Sequence, residues 1–431
     1  MFKYDFIILY EHRNRELENA VLLAMMLKKR GYKVAIEYRR SARILFQRAE
    51  VILTPFFYNN DNVIDFAFQP FKFYKKVINL QYEQVFSKQS EDTFENLPNE
   101  KAKNAVHISW GDESVNSLKK VGIHKSNIFE IGHISMDLNM KKYRGTFYNR
   151  RYLSRKFNLD INKKWLLFIS SFSCVGLTKT EFDRWKEQTS STEYSSEISY
   201  ETQPLILEMF ERLIKNNKEI IVIYRPHPHE AANKELQLLE KQHKNFRVIS
   251  SFSIRQWIFT ADYVSTWCST SIVDAMFAKK NCAIIRPIPL IEEYDFKIFR
   301  DQKIIETYEE LNDFINDTEN HYLINDNTIK KYYCNDYHAN TFEKLCDVCV
   351  EVYNNDSFCY DYSRDFNVSP FYLMKIYLYK VLLTLSSLID YSVLVPEKYK
   401  SDVNYAHKEM NGYKKEINCY KRRFSRVFNN E

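Results

Sequence analysis

Over its first 160 residues the chain alternates two apolar patterns. Short unbroken runs at Tyr4 to Tyr10, Tyr32 to Glu37, Val51 to Thr54, Val77 to Leu80, Val106 to Ser109 and Ile128 to Ile131 read as buried strands. Between them the apolar positions shift to helical spacing. The clearest series is Leu17, Ala20, Val21, Ala24 and Leu27, which Gly31 closes. Strands alternating with helices build βαβ units and a parallel sheet covered on both faces.

A second series follows the basic stretch Lys141 to Lys156. Strands are predicted at Trp165 to Ser170, Glu219 to Tyr224, Phe246 to Ile249, Tyr263 to Ser265 and Cys282 to Arg286, and helices at Pro204 to Asn216, Ile254 to Phe259 and Ser271 to Ala278. The polar residues Thr178 to Gln203 are expected to form a long loop. Past residue 356 the pattern changes: Phe371 to Val395 mixes aromatics, Leu and two Lys, and a basic tail follows. The predicted architecture is α/β, with two Rossmann-like doubly wound domains facing a cleft. Residues 1–160 would be an acceptor-binding domain, 161–355 a nucleotide-sugar-binding domain and 356–431 a helical tail.

Composition narrows this picture. At 431 residues, 45% hydrophobic and 27% charged, the chain is globular and long enough for two cores. Its net charge of +6 is a mild excess rather than the basic stripe of a dedicated nucleic-acid binder. Most of that excess sits in Glu397 to Glu431, with nine Lys and Arg against five Asp and Glu. An apolar-aromatic helix beside a basic tail suits an anionic membrane surface, and equally a solvated helical hairpin packed on the second domain. The seven glycines have no Walker or G-x-G-x-x-G spacing. No window is long and apolar enough to span a membrane, and the N-terminal apolar run is too short for a signal-peptide core. A cytoplasmic chain with reduced thiols is expected. Cys346-x-x-Cys349, flanked by Cys334, His338 and Cys359, lacks the second pair a zinc site needs, so the two Cys are expected in a helix core.

Candidate chemistry lies just past the predicted strands, where ligands bind open α/β sheets. Ile220 to Tyr224 runs straight into Arg225-Pro-His227-Pro-His229-Glu230. The two prolines stiffen the exit, and an Arg and a His there suit a phosphate. Ser265-Thr-Trp-Cys-Ser269-Thr270-Ser271 places hydroxyls and open backbone N–H groups at a helix start, a second anion-binding feature that ordinary N-capping also explains. Glu11 follows the first strand and could act as a base, or simply complement a helix dipole. Glu83, Asp112, Glu181 and Asp183 are reserve carboxylates, and Gly132 to Asp137 follows another strand and could shape the floor of the cleft. No D-x-D occurs, which favours phosphate handling without a metal.

At Tyr10-Glu-His-Arg-Asn-Arg-Glu-Leu-Glu18, Asn79-Leu-Gln-Tyr-Glu83, Ile131-Gly-His-Ile-Ser-Met-Asp137, Tyr224-Arg-Pro-His-Pro-His-Glu230 and Ser265-Thr-Trp-Cys-Ser-Thr-Ser-Ile-Val-Asp274, residues 1–350 resemble the GT-B glycosyltransferases of bacterial surface-carbohydrate biosynthesis. The His-Pro element with its hydroxyl cluster is similar to the donor site of enzymes using CMP-activated acidic sugars, such as sialyltransferases and Kdo transferases. It is similar, too, to teichoic-acid polyol-phosphate transferases that use CDP-glycerol or CDP-ribitol. The resemblance implies that Arg225, His227, Glu230, Ser269, Thr270 and Ser271 bind the nucleotide, with His227 and the hydroxyls stabilising the leaving phosphate. Glu11 would deprotonate the acceptor hydroxyl, or attack the sugar if configuration is retained.

The expected function is transfer of a Kdo-like sugar from a CMP donor to a capsule or lipopolysaccharide glycan. The enzyme would need no cofactor and no metal, and would sit peripherally on the inner membrane. The alternatives are the polyol-phosphate transferase and a non-catalytic scaffold or RNA-binding module, the latter suggested by Tyr and Phe interleaved in the basic tail.

Overall fold

The computed structural model describes residues 2–70, 72–84, 86–92, 96–179, 182–183, 186, 193–228, 230, 233–299, 302–317, 331–333, 340–388 and 397–428. The chain divides into two compact units. The first comprises Met1–Gln84, Asn96–Asp137 and Ile329–Glu431, and the second Val85–Glu95 and Leu138–Thr328.

The first unit is built on six parallel strands: β1 (Phe6–Tyr10), β2 (Val34–Tyr38), β3 (Val51–Thr54), β4 (Lys76–Asn79), β5 (Val106–Ser109) and β6 (Ile128–Glu130), in the order β2-β1-β3-β4-β5-β6. Helices α1 (Arg13–Lys29), α2 (Asn60–Ala67) and α3 (Asp112–Lys120) connect them. Every residue of β1 is buried, which is why it reads as an unbroken apolar run instead of an alternating one. Gly31, at φ +94°, ends α1: its N–H donates to Lys28 O and the N–H of Tyr32 to Leu27 O, a closure needing a left-handed residue.

The second unit holds α4 (Arg150–Phe157), β7 (Lys164–Ile169), α5 (Glu193–Asn216), β8 (Ile220–Arg225), α6 (Lys234–Gln242), β9 (Phe246–Val248), α7 (Ile254–Ile258), β10 (Tyr263–Thr266), α8 (Ile272–Phe277), β11 (Asn281–Ile285), β12 (Ile304–Ile305) and α9 (Tyr308–Asn316). Its sheet is again all parallel, ordered β9-β8-β7-β10-β11-β12. The direction of winding reverses between β7 and β10, and in the first unit between β1 and β3. These are the positions where doubly wound sheets open a crevice at their carboxyl ends. The fold class read from the sequence is therefore present in both units. One expected loop is different: α5 begins at Glu193, and Pro204 sits inside it rather than at its start. The preceding turns bury small Ser196, Ser199 and Thr202 together with Ile198, a face too weakly apolar to announce a helix.

The chain then returns to the first unit. Helices α10 (Thr341–Asn354), α11 (Pro370–Leu388), α12 (Glu397–Met410) and α13 (Tyr413–Phe428) all belong to it, so the expected boundaries at 160 and 355, and a tail resting on the second domain, give way to this arrangement. The ties are specific. The Asp137 carboxylate accepts the N–H groups of Thr341 and Phe342 at the start of α10 (3.2 and 3.0 Å). Arg30 at the end of α1 pairs with Glu343 and Asp347, each at 2.6 Å. Tyr413 donates to the buried Glu37 at 2.7 Å. Cys346 and Cys349 lie in the α10 core, where burial pushes the Cys346 thiol up to about 12. Cys334 and His338, named as their flanking partners, lie outside the described residues.

Candidate functional site

In the second unit, β7 lies between β8 and β10, so the loops leaving all three strands emerge side by side. Strands two apart are separated by about 10 Å, close to the span of a phosphate with its attached sugar. The loop after β7 joins its neighbours on both sides. The Ser170 N–H donates to Arg225 O (2.9 Å) and its hydroxyl to Glu230 Oε2 (2.5 Å). On the other side Thr266 donates to Ile169 O (2.7 Å), and the Cys268 N–H donates to Ser171 Oγ (3.2 Å). Phe172 stacks on Trp267 with centroids 4.7 Å apart and planes 15° apart.

Glu230 organises the Pro-His-Pro exit. Its carboxylate accepts from the His227 N–H (2.9 Å), Tyr224 OH (2.7 Å), Gln203 Nε2 (3.0 Å) and Ser170, while its own N–H donates to His227 O (2.9 Å). Burial raises its pKa, and those donors oppose the rise by stabilising the anion. The result is a closed turn carrying a half-buried His227. Arg225, expected to point past the strand end, instead turns its guanidinium onto the loop after β9. It donates to Ser251 O (2.8 Å), Ile249 O (3.5 Å) and Phe252 O. It braces the second unit's neighbouring loop, a role that the linear motif does not display. His229 and Glu181 lie outside the described residues, and Asp183 is exposed.

On the β10 side, Ser269, Thr270 and Ser271 are half-buried ahead of the six-residue α8. The Ser269 N–H is taken by Thr266 Oγ1 (2.9 Å), and Ser269 Oγ accepts the Ser271 N–H (3.3 Å). Asp274 fixes α8 from behind, accepting from Asn139 Nδ2 (2.9 Å) and Arg255 Nε (3.1 Å), all buried. Arg286 forks onto Asp295 (2.8 and 2.7 Å). Burial pushes the Cys268 thiol up to about 11, so it stays protonated at neutral pH. Sequence reasoning did not single out Ser170, Ser171, Phe172 or Trp267. Their signal was topological: they flank the winding reversal. The indole N–H of Trp267 and the hydroxyl of Ser265 are buried with no hydrogen-bond partner among the described residues.

In the first unit, Glu11 leaves β1 and meets Arg39 from the adjacent β2 exit (Nε 2.9 Å, Nη2 2.8 Å), with His12 Nε2 3.7 Å away. The fully buried Glu16 turns back to accept the Glu11 N–H (2.7 Å) and pairs with Arg15, which reaches Glu83 at 2.6 Å. Burial raises the Glu16 pKa, and Arg15 opposes that shift. The last helices also reach this strand end: Tyr405 OH bonds His12 Nδ1, Tyr10 OH donates to Glu409 O (3.0 Å), and the Glu409 carboxylate accepts the Arg13 N–H. Glu83 is the most solvent-accessible of these acids. Asp112 instead begins α3. His133 is half-buried, its ring tilted at 56° against Trp110 with centroids 3.9 Å apart, and its backbone N–H donates to Tyr333 O (2.6 Å).

Burial lifts the Glu409 carboxyl to about 7 from an ordinary 4.5. Because the folded-state value is raised, this group's contribution to stability is full below about pH 4.5 and is lost as pH rises through about 7. The melting temperature of Glu409→Gln, compared with wild type, should therefore gain on it across that window and run parallel above it. A constant difference from pH 4 to 8 would show that Glu409 does not titrate there.

The two Rossmann-like units define a GT-B glycosyltransferase-like fold. Solved structures share it. The Staphylococcus aureus MnaA–UDP structure aligns at TM-score 0.50 with 12% identity, covering 82% of this chain and 97% of that one. A putative UDP-N-acetylglucosamine 2-epimerase from Listeria monocytogenes aligns at 0.51 with 11% identity, covering 85% and 100%. The wall teichoic acid polymerase TagF aligns at 0.54 with 11% identity, covering 82% and 89%. At such identities the likeness is one of fold. No family model and no curated protein matches the sequence.

Proposed function

We propose that this protein is a metal-independent, GT-B-type glycosyltransferase that moves an acidic, Kdo-like sugar from a CMP donor to a capsule or lipopolysaccharide glycan. The observation that supports it best is the side-by-side placement of the His227 turn and the Ser269–Ser271 segment on the two strands flanking β7. A phosphate seated over the β7 exit would meet an imidazole on one side and hydroxyls on the other. Both can stabilise charge on a departing CMP without a cation. Thr270 and the Trp267 indole N–H are the further donors for that anion or its nucleoside. Glu230 serves by holding the turn, and Arg225 by holding the loop beside it. In the first unit, Glu11 would take the acceptor's proton, exchanging its contact with Arg39 for the hydroxyl. Attachment to an anionic inner-membrane surface, where lipid-linked acceptors sit, belongs to the same reading.

A second reading is a polyol-phosphate transferase using CDP-glycerol or CDP-ribitol. The TagF likeness favours it, since one TagF structure is of a histidine-to-asparagine variant soaked in CDPG. The same anion site would serve, with the bond broken at phosphorus instead of at the sugar carbon.

The test is a thermal shift with CMP, UMP and GMP, followed by turnover with CMP-sugar and CDP-polyol donors and weighing of the product. Ligand at a hundred times its Kd stabilises by about 2.7 kcal/mol, so a shift for CMP alone supports the cytidylate site. A sugar added to the acceptor upholds the first reading, and a polyol phosphate the second. No shift with any cytidine nucleotide removes both.

A further inference from the structure

Helix α11 is inside out. Phe371, Met374, Leu378, Leu382 and Leu385, spaced along one helical face, are 72, 49, 55, 63 and 49% exposed. Lys380, half a turn of the helical wheel away from Phe371, is 2% exposed. Its ammonium donates to Asp65 O and pairs with Asp65 Oδ1, both at 3.0 Å. The helix docks through Lys380, Leu383 and Ser386, and through Thr384, whose hydroxyl accepts the Ala42 N–H at 2.8 Å. Of the first unit's exposed large apolar side chains among the described residues, six stand on this one helix, Tyr372 completing the set. Helix α13 shows the ordinary arrangement: Tyr413, Ile417, Tyr420 and Phe424 face inward and Lys414, Lys415, Arg422 and Arg426 face out.

We infer that the outward face of α11 lies in the plane of an anionic lipid surface, the cations at the start of α13 serving as its electrostatic counterpart. No described helix is long and apolar enough to cross a membrane, so the insertion is shallow. The charge around the stripe selects the occupant. Residues 370–388 contain no Asp or Glu, and Lys375 stands exposed along the stripe. The segment Ala42–Phe46 connects α11 to the start of α13, through Ala42 on Thr384 and through Arg43, whose guanidinium donates to Tyr413 OH at 3.1 Å. Lys414 and Lys415 follow directly. Phe46, the last residue of the Ala42–Phe46 segment, is 57% exposed. Two copies meeting through this face would bring like cations together, whereas anionic headgroups neutralise them. This inference rests on the membrane attachment in the proposed function and assigns it to a particular helix face.

The test is flotation of the full-length chain with phosphatidylcholine vesicles, with and without phosphatidylglycerol. Wild type should float with the anionic vesicles, and Leu378→Ser/Leu382→Ser should lower its partition about tenfold or more, since binding scales with the apolar area inserted. Lys414→Glu/Lys415→Glu should weaken binding to the anionic vesicles alone. Melting temperatures of both variants confirm their fold, and their CMP-induced shift should persist, which separates this result from the donor site. Equal flotation of wild type and the leucine variant overturns the inference, and so does absence of wild-type flotation. A wild-type dimer that the leucine variant dissociates, without vesicle binding, assigns the face to a second copy and also overturns it.

Discussion

His227→Ala should lower turnover about 10²-fold or more while leaving the melting temperature nearly unchanged. The side chain is half-buried at a loop, so little packing goes with it, whereas the proposed leaving phosphate would lose its imidazole donor. The turn that presents it gives an internal control. Glu230→Ala removes the acceptor shared by Tyr224, Gln203, Ser170 and the His227 N–H. That substitution should cost about 1–3 kcal/mol, because the His227 N–H and the Ser170 hydroxyl lose their carboxylate acceptor while Tyr224 and Gln203 keep their bonds to Ser170 and to each other, and it should slow turnover by releasing the imidazole. Steady-state kinetics and denaturation of the two variants separate the roles. An unchanged rate in His227→Ala removes the histidine from the chemistry, whatever Glu230→Ala does.

The largest effect on stability is expected from Asp274→Ala, at about 3–5 kcal/mol. Asp274 and Arg255 are both buried and pair at 3.1 Å, with Asn139 as a second donor to the same oxygen. Removing the carboxylate deprives a buried guanidinium of its charged partner. Asp274→Asn, which keeps a hydrogen-bond acceptor, should cost less. Urea denaturation measures both. A loss below about 1 kcal/mol in the alanine variant would mean that solvent reaches Arg255 and that the pair does not anchor α8.

The sheets were legible because their strands are buried on both faces and appear as unbroken apolar runs. Val51–Thr54 and Val106–Ser109 fall on the predicted residues. The two-residue β12 offered no such run. The α10 helix was visible from its periodicity, but its docking on the first unit depends on Asp137, Arg30 and other partners hundreds of positions away, which no local pattern encodes. The same limit applies to the site. The Arg-Pro-His-Pro segment announced a stiff exit, yet only the packing of the β9 loop decides that Arg225 faces carbonyls. Ser170 and Trp267 became candidates only once the strand order put β7 beside β10. The inverted face of α11 was blurred in sequence because Lys375 and Lys380 look alike, one in solvent and the other held by Asp65.

The return of the last helices to the first strand has a consequence for biosynthesis. Tyr10 waits for Glu409, 399 positions later, and Glu37 for Tyr413. A ribosome delivering this chain therefore completes most of the second unit before the first can close, reversing the usual order in which the leading domain folds first. Until α12 and α13 emerge, the leading strands carry an uncovered edge of charged and aromatic side chains. The nascent polypeptide is thus most exposed to aggregation and chaperone capture in its opening third.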